Sequence, residues 1–397
     1  MKNFRLAVVD TNPVQYRVPF WRYLSEHSPI DVTVFYATDV GLVPHRMDAS
    51  RTTWVWDIPL LDGYRYEFVE SLPVPLVPGP TANRLPLGLL RRLDRGKFDA
   101  MLVFGYQNGP ALLGGSLAAI LGIPLILRGE SHDVGRRRTL RSKVKDLLLP
   151  WMLRVPDAYL AIGKWNRQYW EDRGVPPSKI WVALYAVDND RFRRRLADDP
   201  ERPQRLRGDW SVRAGETVFL YCARLEAVKA ADLLLDAFAR LESRGANAQL
   251  IVVGSGPQED MLKRRARELG LRRVRWLGFV NQADLPFHFR AADVMVLPSR
   301  FEPWGLVVNE AMACGTPCIV SDVVGAGADL VAEQNTGLVF RHDDPLALTH
   351  ALEMALDDRR RAVWRAAIPN VVDRASYRQN ADAMADCIAH LNQQRDS

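Results

Sequence analysis

Four cysteines in 397 residues is few, and Cys222, Cys314, Cys318 and Cys387 show neither a pairing pattern nor the spacing of metal ligands. That argues against a disulfide-stapled secreted domain and against a zinc module, and it makes a reducing cytoplasm the expected setting. Long apolar runs are also missing. The longest, ALLGGSLAAILGIPLIL (111–127), is interrupted by Gly114, Gly115, Gly122 and Pro124. It falls short of the roughly 20 residues a bilayer requires, and reads as a buried helix followed by a strand from Pro124. FRLAVVD (4–10) begins as a strand almost at once, so no signal peptide is expected ahead of it. Short-period repeats, a low-complexity tail and a complete GxGxxG fingerprint are absent too. Gly254-Ser255-Gly256-Pro257 is followed by Gln258 and Glu259, and a lone GxG carries little weight.

What is present is a chain too long for one ordinary core, with the 48% apolar and 25% charged residues of a soluble globular protein. Net charge is +6, mostly from Arg. That permits nucleic acid, anionic lipid or nucleotide-sugar partners without choosing among them. Short apolar runs alternate with helical segments, first from RLAVV (5–9) to WVALYAV (181–187), then from TVFLYCA (217–223) to GLVF (337–340). This is the pattern of two parallel sheets covered by helices. Between them, 193–216 is polar, Arg-rich and broken by prolines, and reads as a linker plus a helix entering the second domain. The expected domains are 1–192 and 193–375, followed by a C-terminal helix at 376–397.

Two carboxylates stand out. Glu302 and Glu310 sit in FEPWGLVVNEAMACG (301–315), after the apolar strand run AADVMVLPS (291–299). Glu302 falls on a loop at a strand's carboxyl end, and Glu310 about two turns into the following helix. In an open α/β sheet that end faces the ligand crevice. The helix start over Trp304, Gly305, Leu306 and Val307 offers free amides and a positive dipole end, suited to a diphosphate. Carboxylates beside an anion site serve better as acceptors for sugar hydroxyls; the plain alternative is a surface ion pair. Arg224 and Lys229, five residues apart after another strand, form a planar fork and a point charge. They suit neutralisation of a diphosphate leaving group, with two solvated loop charges as the alternative.

These segments carry a family likeness. FEPWGLVVNEAMACG, YCARLEAVKAADLLLDAFARL (221–241), LIVVGSGP (250–257) and VRWLGFVNQADLPFHFRAADVMVLPSRFEPWG (274–305) resemble the retaining glycosyltransferases of family 4. The match is specific across about 217–340 and looser in the first half. The resemblance implies the GT-B fold: two Rossmann-like domains facing across a cleft, with the last helix, SYRQNADAMADCIAHL (376–391), crossing back to the first. It implies no cofactor, and a nucleotide diphosphate sugar (UDP- or GDP-sugar) donor held by the second domain. Arg224, Lys229 and Glu302 then act in catalysis, and Glu310 meets ribose hydroxyls. Gly254 and Gly256 border the nucleotide, whose base stacks near Gly278, Phe279 and Val280. In RGESHDVG (128–135), His132 faces the donor sugar as a hydrogen-bonding partner, with Glu130 beside it.

The chain departs from the family at its first turn. VDTNPVQYRVPFWRYL (9–24) contains no glycine where most members carry a Gly pair, which leaves Gln15 and Arg17 as candidates to contact acceptor or phosphate. Asp188-Asn189-Asp190 looks like a metal-binding Asp-x-Asp but falls where the family has a structural segment, and Asp caps helices; no metal is expected. The basic segment 136–155 carries Arg136, Arg137, Arg138, Arg141, Lys143 and Lys145 ahead of Trp151 and Met152. It is either an anionic-membrane contact or an ordinary solvated helix. The resulting expectation is a retaining, metal-independent transferase acting on a saccharide or lipid-linked acceptor in bacterial surface polysaccharide or glycoconjugate synthesis. It would be cytoplasmic, peripheral on the inner face of the plasma membrane, with no nucleic-acid partner. The alternatives are a nucleotide-sugar epimerase or hydrolase of the same fold, and a non-catalytic basic binding protein.

Overall fold

The computed structural model describes residues 4–42, 45–46, 53–54, 56–74, 84–94, 96–135, 149–150 and 152–396. The chain divides into two units. Residues up to Tyr185 form the first, apart from Arg46–Thr53, and Tyr377 onward rejoins it; Ala186–Ser376 form the second.

The first unit is built on a parallel sheet of seven strands: β1 (Phe4–Asp10), β2 (Ile30–Tyr36), β3 (Arg65–Phe68), β4 (Ala100–Phe104), β5 (Leu125–Gly129), β6 (Ala158–Ala161) and β7 (Ile180–Val182). Their spatial order is β7-β6-β5-β4-β1-β2-β3. Leu6, Ala7, Val8 and Val9 are all buried in succession, as expected of a parallel strand covered on both faces. Helix α1 (Val18–His27) follows β1, and α2 (Gly109–Leu121) follows β4. Asn108 caps α2 by accepting the Ala111 amide at 2.8 Å, and Gly122, at φ 63°, ends it. The long apolar run is therefore helix then strand. Among the described residues no helix is long and apolar enough to cross a membrane.

The second unit repeats the plan with six parallel strands: β8 (Thr217–Cys222), β9 (Ala248–Val253), β10 (Val274–Gly278), β11 (Val294–Leu297), β12 (Cys318–Ser321) and β13 (Gly337–Phe340). Their order is β10-β9-β8-β11-β12-β13. Phe219 and Tyr221 pack with Phe238 and Trp364 in its core. In both sheets the order reverses beside one strand, β1 in the first and β8 in the second. Chains leave these points in opposite directions and open a crevice at the strands' carboxyl ends.

The change of unit comes after Tyr185, earlier than the expected 192, and the linker stretch is two helices, α4 (Asn189–Asp198) and α5 (Arg202–Asp209). The reason is anchoring: Phe192 is fully buried, and the Asn189 amide donates to Val372 O and Ala375 O, each at 3.1 Å. All four cysteines are free thiols.

The last helix, α12 (Tyr377–Asp396), belongs to the first unit, as the family likeness implied. Ala381, Met384, Ile388 and Leu391 are buried at helical spacing. Phe20 and Tyr377 rings lie 5.3 Å apart. Arg128, buried on β5, donates to Ala183 O at 3.1 Å and to Asn380 Oδ1 at 3.2 Å, while Asn380 donates to Leu184 O at 2.6 Å. Burial lowers the Arg128 pKa, so this guanidinium depends on its few partners. Asn380→Ala is expected to destabilise the first unit by about 2 kcal/mol, the cost of a lost hydrogen bond to a buried charge. Urea unfolding followed at Trp21, Trp170 and Trp181 should show it; a change under about 0.5 kcal/mol would mean α12 docks on apolar contacts alone.

Candidate active site

Pairing of β8 with β11, with Phe219 opposite Val294, sets the two loops at the second reversal side by side. The loop after β8 holds Arg224 and Lys229; the loop after β11 holds Glu302 and Gly305. The Lys229 ammonium donates to Glu302 Oε2, so two residues 73 apart in sequence meet in one ion pair. Both side chains are largely shielded, at 22% and 12% exposure. Arg224 turns instead to Glu226, at 2.7 Å, and is 47% exposed. Backbone bonds fix the glutamate loop from a third side: Glu302 N donates to Val323 O, and Gly325 N donates to Glu302 O.

Gly305 is required where it stands. Its φ is 94°, and a Cβ there would come within 3.0 Å of the Leu297 side chain and 3.2 Å of Glu302 Cγ. This tight turn starts α9 (Leu306–Ala313) with no side-chain cap and no acidic residue in its first turn. The Leu306 and Val307 amides therefore begin the helix at its positive end, next to the Lys229–Glu302 pair. Trp304, just ahead of this turn, is buried, and its indole donates to Asn309 Oδ1 at 2.8 Å.

The glycines after β9 serve close packing between loops. A Cβ on Gly254 would lie 2.0 Å from Ala223 O, and one on Gly256 would lie 2.6 Å from Leu225 O. Leu225 N donates to Ser255 O, and Gly254 N to Gly278 O, so the ends of β8, β9 and β10 form one continuous rim. Phe279 and Val280 follow on that rim, both half-buried.

Glu310 lies just over one turn into α9, closer to the helix start than the two turns expected, because the helix begins only at Leu306. Burial pushes its carboxyl up to about 7, against the pull of Arg191 and a hydrogen bond from Gln282. Sequence reasoning missed both partners. Gln282 Nε2 donates to Glu310 Oε1 at 3.4 Å, while Arg191 donates to Gln282 O at 3.1 Å and to Gln282 Oε1 at 2.9 Å. Arg191 is held by the segment that imitated a metal motif: Asp188 caps α4 by accepting the Arg191 amide at 2.9 Å, and Asp190 points to Arg193. No spacing rule links positions 191, 282 and 310. The usable signal was Asp188 as a helix cap.

In the first unit, the reversal beside β1 gathers a second polar group. Arg17 donates to Asp10 Oδ1 at 2.7 Å, and its guanidinium lies 4.4 Å from the centre of the Phe104 ring. Burial raises the Asp10 pKa. Gln15 is half-buried in the turn ahead of α1. Asn12 closes the glycine-free turn by donating to Pro13 O and Val40 O at 3.1 and 3.0 Å. The glycine that permits this approach is Gly41, at φ 101°, whose added Cβ would sit 3.0 Å from Pro13 O. On the loop after β5, Glu130 accepts from the Tyr185 hydroxyl at 2.7 Å. His132 is buried, with its ring 5.3 Å from that of Trp165. Of the basic segment, Arg136, Arg137, Arg138, Arg141, Lys143, Lys145 and Trp151 lie outside the described residues.

The family described as glycosyl transferases group 1 matches residues 204–370, most of the second unit. An uncharacterized glycosyltransferase of Methanocaldococcus jannaschii is 34% identical over 185 residues, a match spanning 46% of each chain and so about half of that relative's length. A GDP-mannose-dependent alpha-(1-6)-phosphatidylinositol monomannoside mannosyltransferase of Mycolicibacterium smegmatis is 29% identical over 75% of this chain and 76% of its own. The solved structure of Anabaena HepE in complex with UDP and glucose superposes with a TM-score of 0.71 at 17% identity, covering 98% of this chain and all of that one. Residues 204–370 thus match the group 1 glycosyltransferases, and the two parallel sheets with the returning α12 give the chain the GT-B fold.

Proposed function

We propose that the protein is a retaining, metal-independent glycosyltransferase that moves a sugar from a nucleotide diphosphate to a saccharide or lipid-linked acceptor. One observation carries the reading: the Lys229–Glu302 pair set against the uncapped start of α9. Lys229, Arg224 and the α9 amides supply positive charge where a diphosphate gathers negative charge on departure. Glu302, beside them, accepts hydroxyls of the transferred sugar, and Glu310 accepts hydroxyls of the ribose. The acceptor oxygen bonds to the anomeric carbon on the leaving-group face as the bond from that carbon to phosphate oxygen breaks. The acceptor's proton passes to a phosphate oxygen, and the nucleoside diphosphate leaves. Support for the donor class comes from the mannosyltransferase relative's use of GDP-mannose and from the UDP held by the fold neighbour. His132 and Glu130 in the first unit, with Gln15 and Arg17, are the groups we assign to the sugar and acceptor side.

The founding test is binding and transfer with UDP- and GDP-sugars in excess EDTA. Turnover should persist in EDTA, and Lys229→Ala should weaken donor binding. Activity lost in EDTA and restored by manganese would overturn the metal-independent mechanism.

The two glutamates should separate in kinetics. Glu302→Gln is expected to lower the transfer rate, and Glu310→Gln to weaken nucleoside diphosphate binding. Each loss should be roughly ten- to hundredfold, as for a hydrogen bond to a charged carboxylate. The reverse assignment of losses would invert the inferred donor pose.

Glu310 also predicts a pH dependence. Burial pushes its carboxyl up to about 7, and the ionised form is the stronger hydroxyl acceptor. Nucleotide affinity should therefore rise roughly tenfold as pH passes upward through that value, and stay flat in Glu310→Gln. Arg191→Gln removes a cation that favours ionisation, so it should move the midpoint to higher pH. A wild-type profile that is level from pH 5.5 to about 8.5 would remove Glu310 from the ribose site.

A further inference from the structure

At the other end of the second sheet, away from the donor loops, lies a cavity of about 390 Å³. It borders residues that immediately precede strands: Asp293 before β11, and Gly315 and Thr316 before β12. Three arginines reach it from three helices: Arg207 on α5, Arg290 on α8 (Leu285–Ala291) and Arg365 on α11 (Asp358–Arg374). One carboxylate answers them. Asp293 Oδ2 takes Arg207 at 3.1 Å, and its Oδ1 takes Arg365 at 3.2 Å. The lining thus keeps two positive charges beyond its own neutralisation.

Arginines near helix C-termini ordinarily bond the last free carbonyls. Arg207 does so, donating to Ala291 O at 2.8 Å and to Glu216 O at 3.1 Å. Arg290 is different. Its exposed side chain has no hydrogen bond or ion pair among the described residues, and its Nη1 lies where a Cβ on Gly315 would come within 3.1 Å. The missing side chain at Gly315 leaves room for a guanidinium fork that the protein itself does not use.

We propose that this cavity binds a phosphate-bearing small molecule, with Arg290 and Arg365 holding the phosphate. A guanidinium fork matches the geometry of a phosphate oxyanion. The lining contains no aromatic ring on which a nucleobase would stack, and its remaining walls are Pro200, Pro203, two alanines and the amide of Gln204. The fitting ligand is therefore inorganic phosphate or a sugar phosphate, and not a nucleotide. This site is separate from the donor loops and does not depend on the function assigned to them.

The test is equilibrium binding of inorganic phosphate and of a hexose phosphate at constant ionic strength. The proteins are the wild type, Arg290→Gln, Lys229→Ala and, as a charge control, Arg264→Gln on the exposed side of α7 (Glu259–Glu268). Because Arg290 makes no internal bond, Arg290→Gln should melt like the wild type without ligand. It should lose at least about tenfold in phosphate affinity, while Arg264→Gln and Lys229→Ala keep binding at this site. Equal affinity in Arg290→Gln and wild type would overturn the proposal, as would complete loss in Lys229→Ala, which would assign all phosphate to the donor loops. An equal fall in Arg290→Gln and Arg264→Gln would reduce the effect to net charge and overturn it as well. Failure of Lys229→Ala to alter donor binding would count against the donor site alone.

Discussion

The hydrogen-bonded pairing of β8 with β11 is the constraint on which the candidate site rests. These strands are separated by more than seventy residues, yet Leu220 lies opposite Met295 at the centre of the sheet. Each residue of slip would carry one loop about 3.3 Å past the other. A slip of two would preserve the inside–outside alternation and still pull Lys229 away from Glu302. Packing against both faces of the sheet holds the register, because Leu220, Val294 and Met295 have no solvent-exposed face to turn to. The chemistry at the rim is thus held by apolar contacts in the middle of the sheet.

Electrostatics then gives two glutamates of one motif different surroundings. Glu302 has a cation in contact, the Lys229 ammonium. Glu310, eight residues on, has an amide in contact and a cation only behind that amide, and its burial pushes its carboxyl up to about 7. The difference comes from which distant elements reach each position. A loop from β8 supplies the lysine, while α4 and the segment after β10 supply Arg191 and Gln282. Carboxylates with unlike environments are suited to unlike tasks.

The first unit solves the same backbone problem with different residues. A tight turn after a central strand needs either a glycine or a side chain that closes it. Here Asn12 closes the turn, and the close approach is absorbed by Gly41 on the facing loop. Arg17 and Asp10 occupy the space beyond, as a shielded pair whose side chains are 15% and 1% exposed.

Much of this protein was legible in its sequence. Runs such as LAVV, FLYC and VMVL required buried parallel strands, and the helix that carries Glu310 was legible after one of them, although Glu310 fell nearer its start than the pattern suggested. The motif Glu302–Glu310 and the cations Arg224 and Lys229 were visible because each lies just beyond a strand, and local periodicity locates strand ends. Tertiary structure alone decided that Lys229 pairs with Glu302 while Arg224 turns to Glu226. It alone brought Arg191 through Gln282 to Glu310, and gathered Arg207, Arg290 and Arg365 around one cavity. The physical reason is range. Periodicity and turn chemistry act over a few residues, whereas ion pairs and shared burial join residues that only the order of strands in a sheet brings within a few ångströms.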